Sequence, residues 1–339
     1  MKAIIAVSLA LAIFAVIFPL ISALSAPMLP DQEMAASDNA DGTGDLYYSP
    51  SGSASADSDL KITLLDDGKI VDMTMDEYLR GAVAAEMPAA FQEEALKAQA
   101  VAIRTYTMRQ LSSPSSAHPS ASVCSDSSCC MAWKSDACLK EKWGNNYDTY
   151  LSKISNAVQE TDGQYLAYDG QPALAAFHSS SAGKTENSGD VWSTDVPYLV
   201  SVDSPETESD VPNYESSVTV SASDFSETIL AEYPDANFSG DVSSWVQNIT
   251  YTASGRIATV KLGGVAVKGT VLRSLFSLRS TAGNITAGPD SVTMTSTGYG
   301  HGVGMSQYGA NVMAKNGDAY TNILAWYYPG TELVSPQSN

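Results

Sequence analysis

Basic residues are scarce in this sequence. Only 18 lysines and arginines stand against 38 aspartates and glutamates among 339 residues, which gives a formal net charge of −20 at neutral pH. Proteins that bind nucleic acids or other polyphosphates take much of their affinity from clustered lysine and arginine. The composition therefore argues against nucleic acid as a partner.

Long apolar runs are also scarce, and the one that stands out is at the N-terminus. Residues 3–26 follow Lys2 and are broken only by three serines and Pro19. A helix of about 20 apolar residues crosses the roughly 30 Å hydrocarbon core of a bilayer. The run predicts a signal-anchor helix over residues 1–26. The alternative is a cleaved signal peptide with a small-residue site near residues 21–23, and in both cases the rest of the chain is exported.

The remaining sequence shows no internal repeat and no second long linker. Residues 27–59 are rich in Ser, Ala, Gly, Asp and Pro, a composition that buries too little apolar surface to offset the entropy of ordering. We expect them to form a disordered acidic linker and residues 60–336 to form one catalytic domain. Within it, residues 217–269 alternate apolar and polar positions around glycine turns, which predicts a β-rich subdomain.

Two helices can be placed from local signals. Thr74 and Glu77 form a capping-box pattern, which predicts a helix start. Pro88 disfavours helical geometry at the residue before it, so this helix should end near Glu86. A second helix is predicted over residues 92–111, because apolar and charged positions recur there with helical spacing.

One cluster of residues has the chemistry of a metal site. His118, Cys124 and Cys130 follow the pattern His-x5-Cys-x5-Cys, and an imidazole with two thiolates is a zinc-like ligand set. Cys129 and Cys138 lie close by in the sequence. In an exported protein the four cysteines also allow disulfides, with three full pairings, so the residues alone leave both interpretations open.

Two further segments are rich in polar and glycine residues. Residues 177–187 read Phe-His-Ser-Ser-Ser-Ala-Gly-Lys-Thr-Glu-Asn, and His178 and Ser179 there suit hydrogen bonds to sugar hydroxyl and N-acetyl groups. A plain polar turn has the same composition. Residues 298–310 carry His301 among glycines, which lets the backbone approach a partner closely. A single histidine in such a loop is more often structural than catalytic.

Several segments together resemble a known family. Residues 84–88 (Ala-Ala-Glu-Met-Pro), 98–106 (Ala-Gln-Ala-Val-Ala-Ile-Arg-Thr-Tyr) and 298–310 (Gly-Tyr-Gly-His-Gly-Val-Gly-Met-Ser-Gln-Tyr-Gly-Ala) are similar to the front and back signatures of the SpoIID family. These are sporulation lytic transglycosylases that cut peptidoglycan glycan strands. Residues 177–187 and 323–331 also match the family. Within residues 177–187, Ala182 stands in place of a glycine. The resemblance extends over about residues 60–333.

The resemblance implies roles for individual residues. Glu86 would be the single catalytic acid and base, in an apolar setting from Met87, Pro88 and Phe91. Arg104 would contact substrate or polar groups rather than pair tightly with Glu86. The other substrate-binding residues would be Lys97, His178, Ser179, His301, Gln307 and Tyr308. Zinc, in a structural role, would be held by His118, Cys124 and Cys130, with Cys129 or Cys138 as alternates.

The expected fold is α+β, with a helical region bearing Glu86 and a β-rich region bearing the His178 and His301 loops on either side of a long groove. The implied reaction cleaves the β-1,4 bond between N-acetylmuramic acid and N-acetylglucosamine and leaves a 1,6-anhydro ring. The implied substrate is glycan stripped of stem peptides, and the implied partners are a sporulation amidase and endopeptidase and a membrane scaffold. The domain would lie in the space between mother cell and forespore. The alternatives are a zinc-dependent peptidoglycan amidase or hydrolase and a non-catalytic glycan-binding scaffold.

Overall fold

The computed structural model describes residues 56–192 and 194–335. In this part of the chain, helices and short strands are interspersed, which confirms the predicted α+β class. No helix among these residues is long and apolar enough to cross a membrane. The predicted anchor helix over residues 1–26 lies outside the described residues, as does most of the predicted linker.

The described elements follow one another in short segments. The helices are α1 (Met75–Glu86), α2 (Glu93–Ser112), α3 (Asp136–Trp143), α4 (Tyr147–Glu160), α5 (Ser188–Val191), α6 (Ala222–Glu232), α7 (Gly269–Leu275), α8 (Gln307–Lys315) and α9 (Tyr320–Tyr327). The strands are β1 (Lys61–Asp66), β2 (Lys69–Thr74), β3 (Val123–Cys124), β4 (Tyr165–Tyr168), β5 (Gln171–Pro172), β6 (Phe177–His178), β7 (Glu215–Ser221), β8 (Val246–Tyr251), β9 (Ile257–Leu262), β10 (Val265–Lys268), β11 (Gly283–Ala287), β12 (Ser291–Thr297), β13 (Met305–Ser306) and β14 (Glu332–Val334).

Helix α2 is the centre of the first hydrophobic core. Helices α1, α4, α8 and α9 and strand β4 all pack against it. Its middle section is buried almost without interruption, and alanines at positions 95, 98, 100 and 102 are among the buried residues. Small side chains let neighbouring elements approach a helix closely from several sides. The sheet β2-β1-β3 adds Ile62 and Leu64 to the same core.

The helix boundaries predicted from local signals are confirmed. The Thr74 backbone N–H donates to Glu77 Oε2 at 2.9 Å, as one half of the capping box at the start of α1. Helix α1 ends at Glu86, where Met87 takes up an extended conformation before Pro88. Helix α2 begins and ends one residue later than predicted.

An inserted region, residues 215–297, has its own hydrophobic core around Phe225, Val260 and Leu272. Two three-stranded sheets, β11-β12-β7 and β10-β9-β8, pack there with α6 and α7. The predicted subdomain over residues 217–269 lies within it but ends too early. Strand β12 pairs antiparallel with β7, with Thr297 opposite Glu215, and this long-range pairing closes the region.

The two histidine segments lie outside the inserted region. Strands β6 and β13 form a short parallel pair, with Met305 opposite Phe177 and Ser306 opposite His178. Phe177 and Met305 belong to the first core, together with helices α1 and α2. The prediction that a β-rich region carries His178 and His301 is therefore corrected, since both histidines belong to the part of the molecule built around α2.

The folded domain begins earlier than predicted. Residues Asp57–Asp59, assigned above to the linker, form a 3₁₀ turn in which Asp57 is 1% exposed. Asp57 accepts two hydrogen bonds from the fully buried guanidinium of Arg104, at 2.7 Å from Nε and 2.6 Å from Nη2. Burial raises the pKa of Asp57 while the charge and hydrogen bonds of Arg104 oppose that rise. This bidentate ion pair anchors the N-terminal turn to α2.

Replacing Asp57 should destabilise the fold strongly. In Asp57→Ala the Arg104 charge stays buried without its carboxylate, and breaking such a pair costs about 3–5 kcal/mol. We expect a fall of this size in the free energy of unfolding measured by urea denaturation. The matched control is Asp59→Ala, an exposed aspartate in the same turn, which should change stability by less than about 0.5 kcal/mol. Equal effects of the two substitutions would contradict the anchoring role.

Candidate active site

Glu86 occupies the last position of α1 and is largely withdrawn from solvent. Its side chain is 9% exposed, and the neighbouring Met87 and Phe91 are buried as well. Glu86 Oε1 accepts a hydrogen bond of 2.7 Å from the backbone N–H of Ala132. The carboxyl group is therefore oriented by a fixed backbone donor.

The segment that supplies this donor is docked against α1. A Cβ atom at Gly81 would lie 2.2 Å from Trp133 Nε1, so only glycine leaves room for the indole ring at this position of the helix. The Lys134 N–H also donates to the Gly81 carbonyl, at 3.3 Å. The loop over residues 130–134 therefore lies along α1, and this places the Ala132 N–H beside Glu86 Oε1.

Directly before this loop lies a cluster of metal-ligating side chains. The ligand atoms of His118, Cys124, Cys129 and Cys130 all lie within 4.8 Å of one another. His118 Nδ1 is 3.0 Å from the Ala121 carbonyl, which requires Nδ1 to carry the proton and leaves Nε2 as the available electron pair. Nε2 lies 3.1 Å from Cys130 Sγ.

The cluster fits a tetrahedral metal site. One imidazole and three thiols supply four ligands, and Zn–N and Zn–S bonds of about 2.0–2.3 Å require ligand atoms this close together. All four cysteines are free thiols in the structure, and the close grouping of ligand atoms favours the metal interpretation over the disulfide alternative. Cys129 belongs to the cluster, whereas Cys138 is exposed on α3. Of the two predicted alternates, the structure brings Cys129 to the site and not Cys138.

The thiols in the cluster influence one another. Hydrogen bonding from Cys130 lowers the pKa of Cys124 to about 5. Burial raises the pKa of Cys129 to about 11, and the hydrogen bond to Cys124 raises that of Cys130. Cys124 is thus the thiol that most readily becomes a thiolate, which is the form that ligates a metal.

Two residues predicted to bind substrate are held in internal ion pairs. Lys97 Nζ lies 2.7 Å from Glu94 Oε1 and 2.6 Å from Glu160 Oε2, so it connects α2 to α4. Burial alone would lower the pKa of Lys97, but the hydrogen bonds to these carboxylates raise it. Arg104 is fully buried against Asp57. Arg104 therefore pairs with a polar group, Asp57, and not with Glu86, as predicted. Contact of Lys97 with substrate stays a prediction.

His178 and His301 are brought side by side, with ring centroids 5.7 Å apart. His178 Nε2 lies 2.6 Å from Ser181 Oγ, and Nδ1 lies 3.2 Å from the Val303 carbonyl. His301 Nδ1 accepts from the Val303 N–H at 3.0 Å. Burial lowers the pKa of both, that of His301 to about 3. Both imidazoles are therefore neutral near pH 7 and serve as fixed hydrogen-bonding groups.

The start of α8 connects the histidine segments to the Glu86 side of the molecule. The Tyr308 N–H donates to the Ser179 carbonyl at 3.0 Å. The Tyr308 ring packs edge-on against Phe91, with centroids 4.9 Å apart. Gln307 Nε2 reaches Gln99 Oε1 of α2 at 3.5 Å. Ser179, Gln307 and Tyr308 thus lie where the two predicted halves of the site meet.

Sequence reasoning missed several residues that hold this region together. Glu206 accepts from the Ser181 N–H at 2.6 Å and from the Ser306 hydroxyl, so it ties the His178 loop to the start of α8. Trp192 packs on His301, with ring centroids 5.4 Å apart. Neither residue lies in a recognisable motif. Ala132 acts through its backbone, which no side-chain pattern can indicate.

Comparisons with known proteins agree on one family. The family model described as SpoIID, Stage II sporulation protein, matches residues 66–168. The chain is 40% identical over 266 residues to Stage II sporulation protein D of Bacillus subtilis. The aligned region covers 78% of this chain and 75% of that protein. It is 36% identical over 270 residues to the protein of the same name from Bacillus amyloliquefaciens, covering 79% of this chain and 76% of that protein. The Amidase enhancer of Bacillus subtilis is 30% identical over 306 residues, covering 76% of this chain and 40% of that protein.

The neutral state of His301 should appear in the pH dependence of stability. Because the folded pKa of about 3 lies below the ordinary value of 6.5, the unfolded chain takes up a proton below pH 6.5 that the folded chain does not. His301 therefore contributes less stability as the pH falls. We expect the difference in unfolding free energy between wild type and His301→Asn to shrink by about 2 kcal/mol from pH 7.5 to pH 5 in urea denaturation.

Asparagine is the chosen replacement because its Oδ1 keeps an acceptor for the Val303 N–H. Comparing the two proteins at each pH cancels the titration of the carboxylates they share. A difference that stays constant over this range would show that His301 protonates normally in the folded protein.

Proposed function

Because the chain belongs to the SpoIID family, we propose that it is a lytic transglycosylase that cleaves the β-1,4 bond between N-acetylmuramic acid and N-acetylglucosamine, with Glu86 as acid and base. The observation that supports this most directly is the placement of Glu86. It is a largely buried carboxyl group at a helix end, oriented by the Ala132 N–H, within the segment that matches the family model.

The chemistry of the bond explains why one carboxyl group is enough. Glycoside hydrolysis ordinarily uses two, one as acid and one to attack the sugar or activate water. In lytic cleavage the 6-hydroxyl of the muramic acid attacks its own anomeric carbon. The C1–O bond to the leaving sugar breaks, the leaving oxygen takes the Glu86 proton, and the carboxylate then takes the proton of the 6-hydroxyl. No water is consumed, and the carboxyl group ends in its starting form.

The acid role requires a carboxyl group that holds its proton when substrate binds. Withdrawal from water disfavours the charged form of a carboxyl group. The buried side chains of Met87 and Phe91, close to Glu86 in the chain, support the proposal of apolar surroundings for this group. The Ala132 N–H meanwhile keeps the carboxyl group from rotating. Position and burial together suit a single group that both gives and accepts a proton.

We also propose that His118, Cys124, Cys129 and Cys130 hold a structural Zn²⁺. Four protein ligands complete a tetrahedral site, whereas a catalytic zinc keeps one position for water or substrate. When bound, the ion would cross-link the segments carrying these ligands and so hold the loop that presents Ala132. The four-ligand set weighs against the alternative of a zinc-dependent amidase or hydrolase.

The biological setting follows from the relatives by analogy. The names Stage II sporulation protein D and Amidase enhancer support a role in sporulation and at the cell wall. Within this proposal, the enzyme acts on septal peptidoglycan during engulfment, on strands stripped of stem peptides, beside an amidase, an endopeptidase and a membrane scaffold. An N-terminal anchor would keep the domain between mother cell and forespore.

Substituting Glu86 tests the proposed reaction. The soluble domain, residues 56–339, and its Glu86→Gln variant are incubated with amidase-treated peptidoglycan, and the products are identified by mass spectrometry. Wild type should release 1,6-anhydromuramic ends, and the variant should be slower by about 10²- to 10⁴-fold, because the proposed proton donor is lost. The matched control is Glu93→Gln, an exposed glutamate in the first turn of α2, which should keep full activity.

Other products would replace the proposal with one of its alternatives. Reducing ends from wild type would show a hydrolase, and released peptides from intact peptidoglycan would show an amidase. Tight glycan binding without products, unchanged in Glu86→Gln, would show a non-catalytic scaffold.

Metal analysis tests the proposed zinc site. Purified protein should contain one zinc ion per chain, and His118→Ala and Cys129→Ser should each lower that content because a ligand is lost. Cys138→Ser is the matched control and should keep the ion, since Cys138 lies outside the cluster. With Co²⁺ in place of zinc, the thiolate charge-transfer absorption should fall in Cys129→Ser. Loss of metal in Cys138→Ser but not in Cys129→Ser would contradict the assignment.

A further inference from the structure

The arginines of this acidic chain are unevenly distributed. Three of its six arginines, Arg256, Arg273 and Arg279, fall within 24 residues of the inserted region, although the net charge of the chain is −20. All three lie close to the glycine-rich loop over residues 298–304. Burial raises the pKa of Tyr299, and the charges of Arg279 and Arg273 oppose that rise. Burial lowers the pKa of His301, and the charges of Arg273 and Arg256 lower it further.

Arg279 is held by the loop but has no carboxylate partner among the described residues. Its guanidinium carbon lies 4.3 Å from the ring centroid of Tyr299, and its carbonyl accepts the Gly300 N–H at 2.8 Å. The side chain is half-buried, and its Nε is buried without a hydrogen-bond partner within the described ranges. Stacking on an aromatic ring fixes a guanidinium while its N–H groups stay available. Arg279 is thus a preorganised cation without an internal counterion in this part of the chain.

Arg256 differs from Arg279, because the charges of two carboxylates, Glu186 and Glu206, act on it. It is 1% exposed and lies against the loop, where a Cβ at Gly302 would be 2.5 Å from its guanidinium carbon. Burial lowers the pKa of Arg256, while the charges of Glu186 and Glu206 oppose that shift. Arg256 therefore lies directly under the loop. The two carboxylates offset part of its charge, although its guanidinium nitrogens are buried without a hydrogen-bond partner among the described residues.

Arg279 also lies near the start of α8. Its charge acts on Tyr308, whose ring contacts Phe91. Phe91 lies in the turn that follows Glu86, with its N–H bonded to the Pro88 carbonyl at 2.9 Å. The pair of Tyr308 and Phe91 therefore connects the surroundings of Arg279 to the turn that follows the proposed acid.

We propose that Arg279 binds the lactyl carboxylate of an N-acetylmuramic acid residue in the glycan strand. This inference rests on the proposed function. The lactyl group is the one ionisable group of the unmodified glycan backbone, and it is a free carboxylate only where no stem peptide is attached. A guanidinium matches a carboxylate with two parallel hydrogen bonds. Arg279 is then the specificity-determining residue that distinguishes stripped glycan from glycan that carries peptide.

The test measures binding and does not depend on turnover. Isothermal titration calorimetry is performed on protein carrying Glu86→Gln, so that no probe is cleaved. The probes are a peptide-free tetrasaccharide of alternating N-acetylglucosamine and N-acetylmuramic acid, the same compound with its lactyl groups converted to amides, the same compound bearing stem peptides, and an N-acetylglucosamine tetramer. The added variants are Arg279→Gln, Arg279→Lys and, as a matched control, Arg80→Gln on α1.

Arg279→Gln should weaken binding of the peptide-free tetrasaccharide about 10- to 100-fold, since a hydrogen bond to a charged group contributes about 1.5–3 kcal/mol. Binding of the amide probe and of the N-acetylglucosamine tetramer should stay within about twofold. Arg279→Lys keeps a cation at the Tyr299 ring but lacks the planar guanidinium that makes two parallel hydrogen bonds. Its loss of affinity should therefore be smaller than that of Arg279→Gln and confined to the peptide-free tetrasaccharide. Arg80→Gln should change nothing.

Two results would overturn the inference. Equal weakening of all probes by both Arg279 variants would show that Arg279 binds the sugar or holds the loop. Weakening only for the peptide-bearing probe would show that the carboxylate read by Arg279 belongs to the stem peptide. Failure of the proposed lytic reaction would appear separately, as missing anhydromuramic products from the protein with an intact Glu86.

Discussion

The hydrogen bond from the Ala132 N–H to Glu86 is the contact on which the proposed site depends most. It joins the end of α1 to the loop that follows the His118, Cys124, Cys129 and Cys130 cluster. A backbone donor is useful here only if the loop is held in one place, and the packing of Trp133 on Gly81 contributes to that. The cluster and the Glu86 carboxyl group are therefore connected through this loop, although they lie in separate sequence motifs.

The segments that carry His178 and His301 are far apart in the sequence and meet through strand pairing. Strand β13 pairs with β6 after an interval that contains the whole inserted region, and this pairing brings His301 beside His178. Two neutral, buried imidazoles are poor candidates for proton transfer near pH 7, because their pKa values lie far below it. Their hydrogen bonds to backbone groups indicate that they shape the loop. The proposed mechanism accordingly assigns acid and base chemistry to Glu86 and not to these histidines.

Prediction from the sequence succeeded where the determining interactions are local. The capping box at Thr74 and the effect of Pro88 on its predecessor act within a few residues, and both ends of α1 followed from them. The carboxylate partners of Lys97 and Arg104 could not be predicted, because Glu160 and Asp57 are distant in the sequence. The subdomain boundary was too early for the same reason, since only the pairing of β12 with β7 defines it.

The choice among the cysteines shows the limit of residue chemistry. Cys129 and Cys138 were equally acceptable as thiols, and their difference is geometric. The Cys129 and Cys130 N–H groups both donate to the Asp126 carbonyl, a tight turn that brings Cys129 to the cluster with Cys130. Cys138 follows in α3, where the helix turns its side chain toward solvent. Arg279 is a second residue whose contacts could not be predicted from its residue type alone. An arginine in an acidic chain is expected to pair with a carboxylate, whereas Arg279 stacks on Tyr299. In our proposal, the lactyl group of the substrate supplies the missing carboxylate.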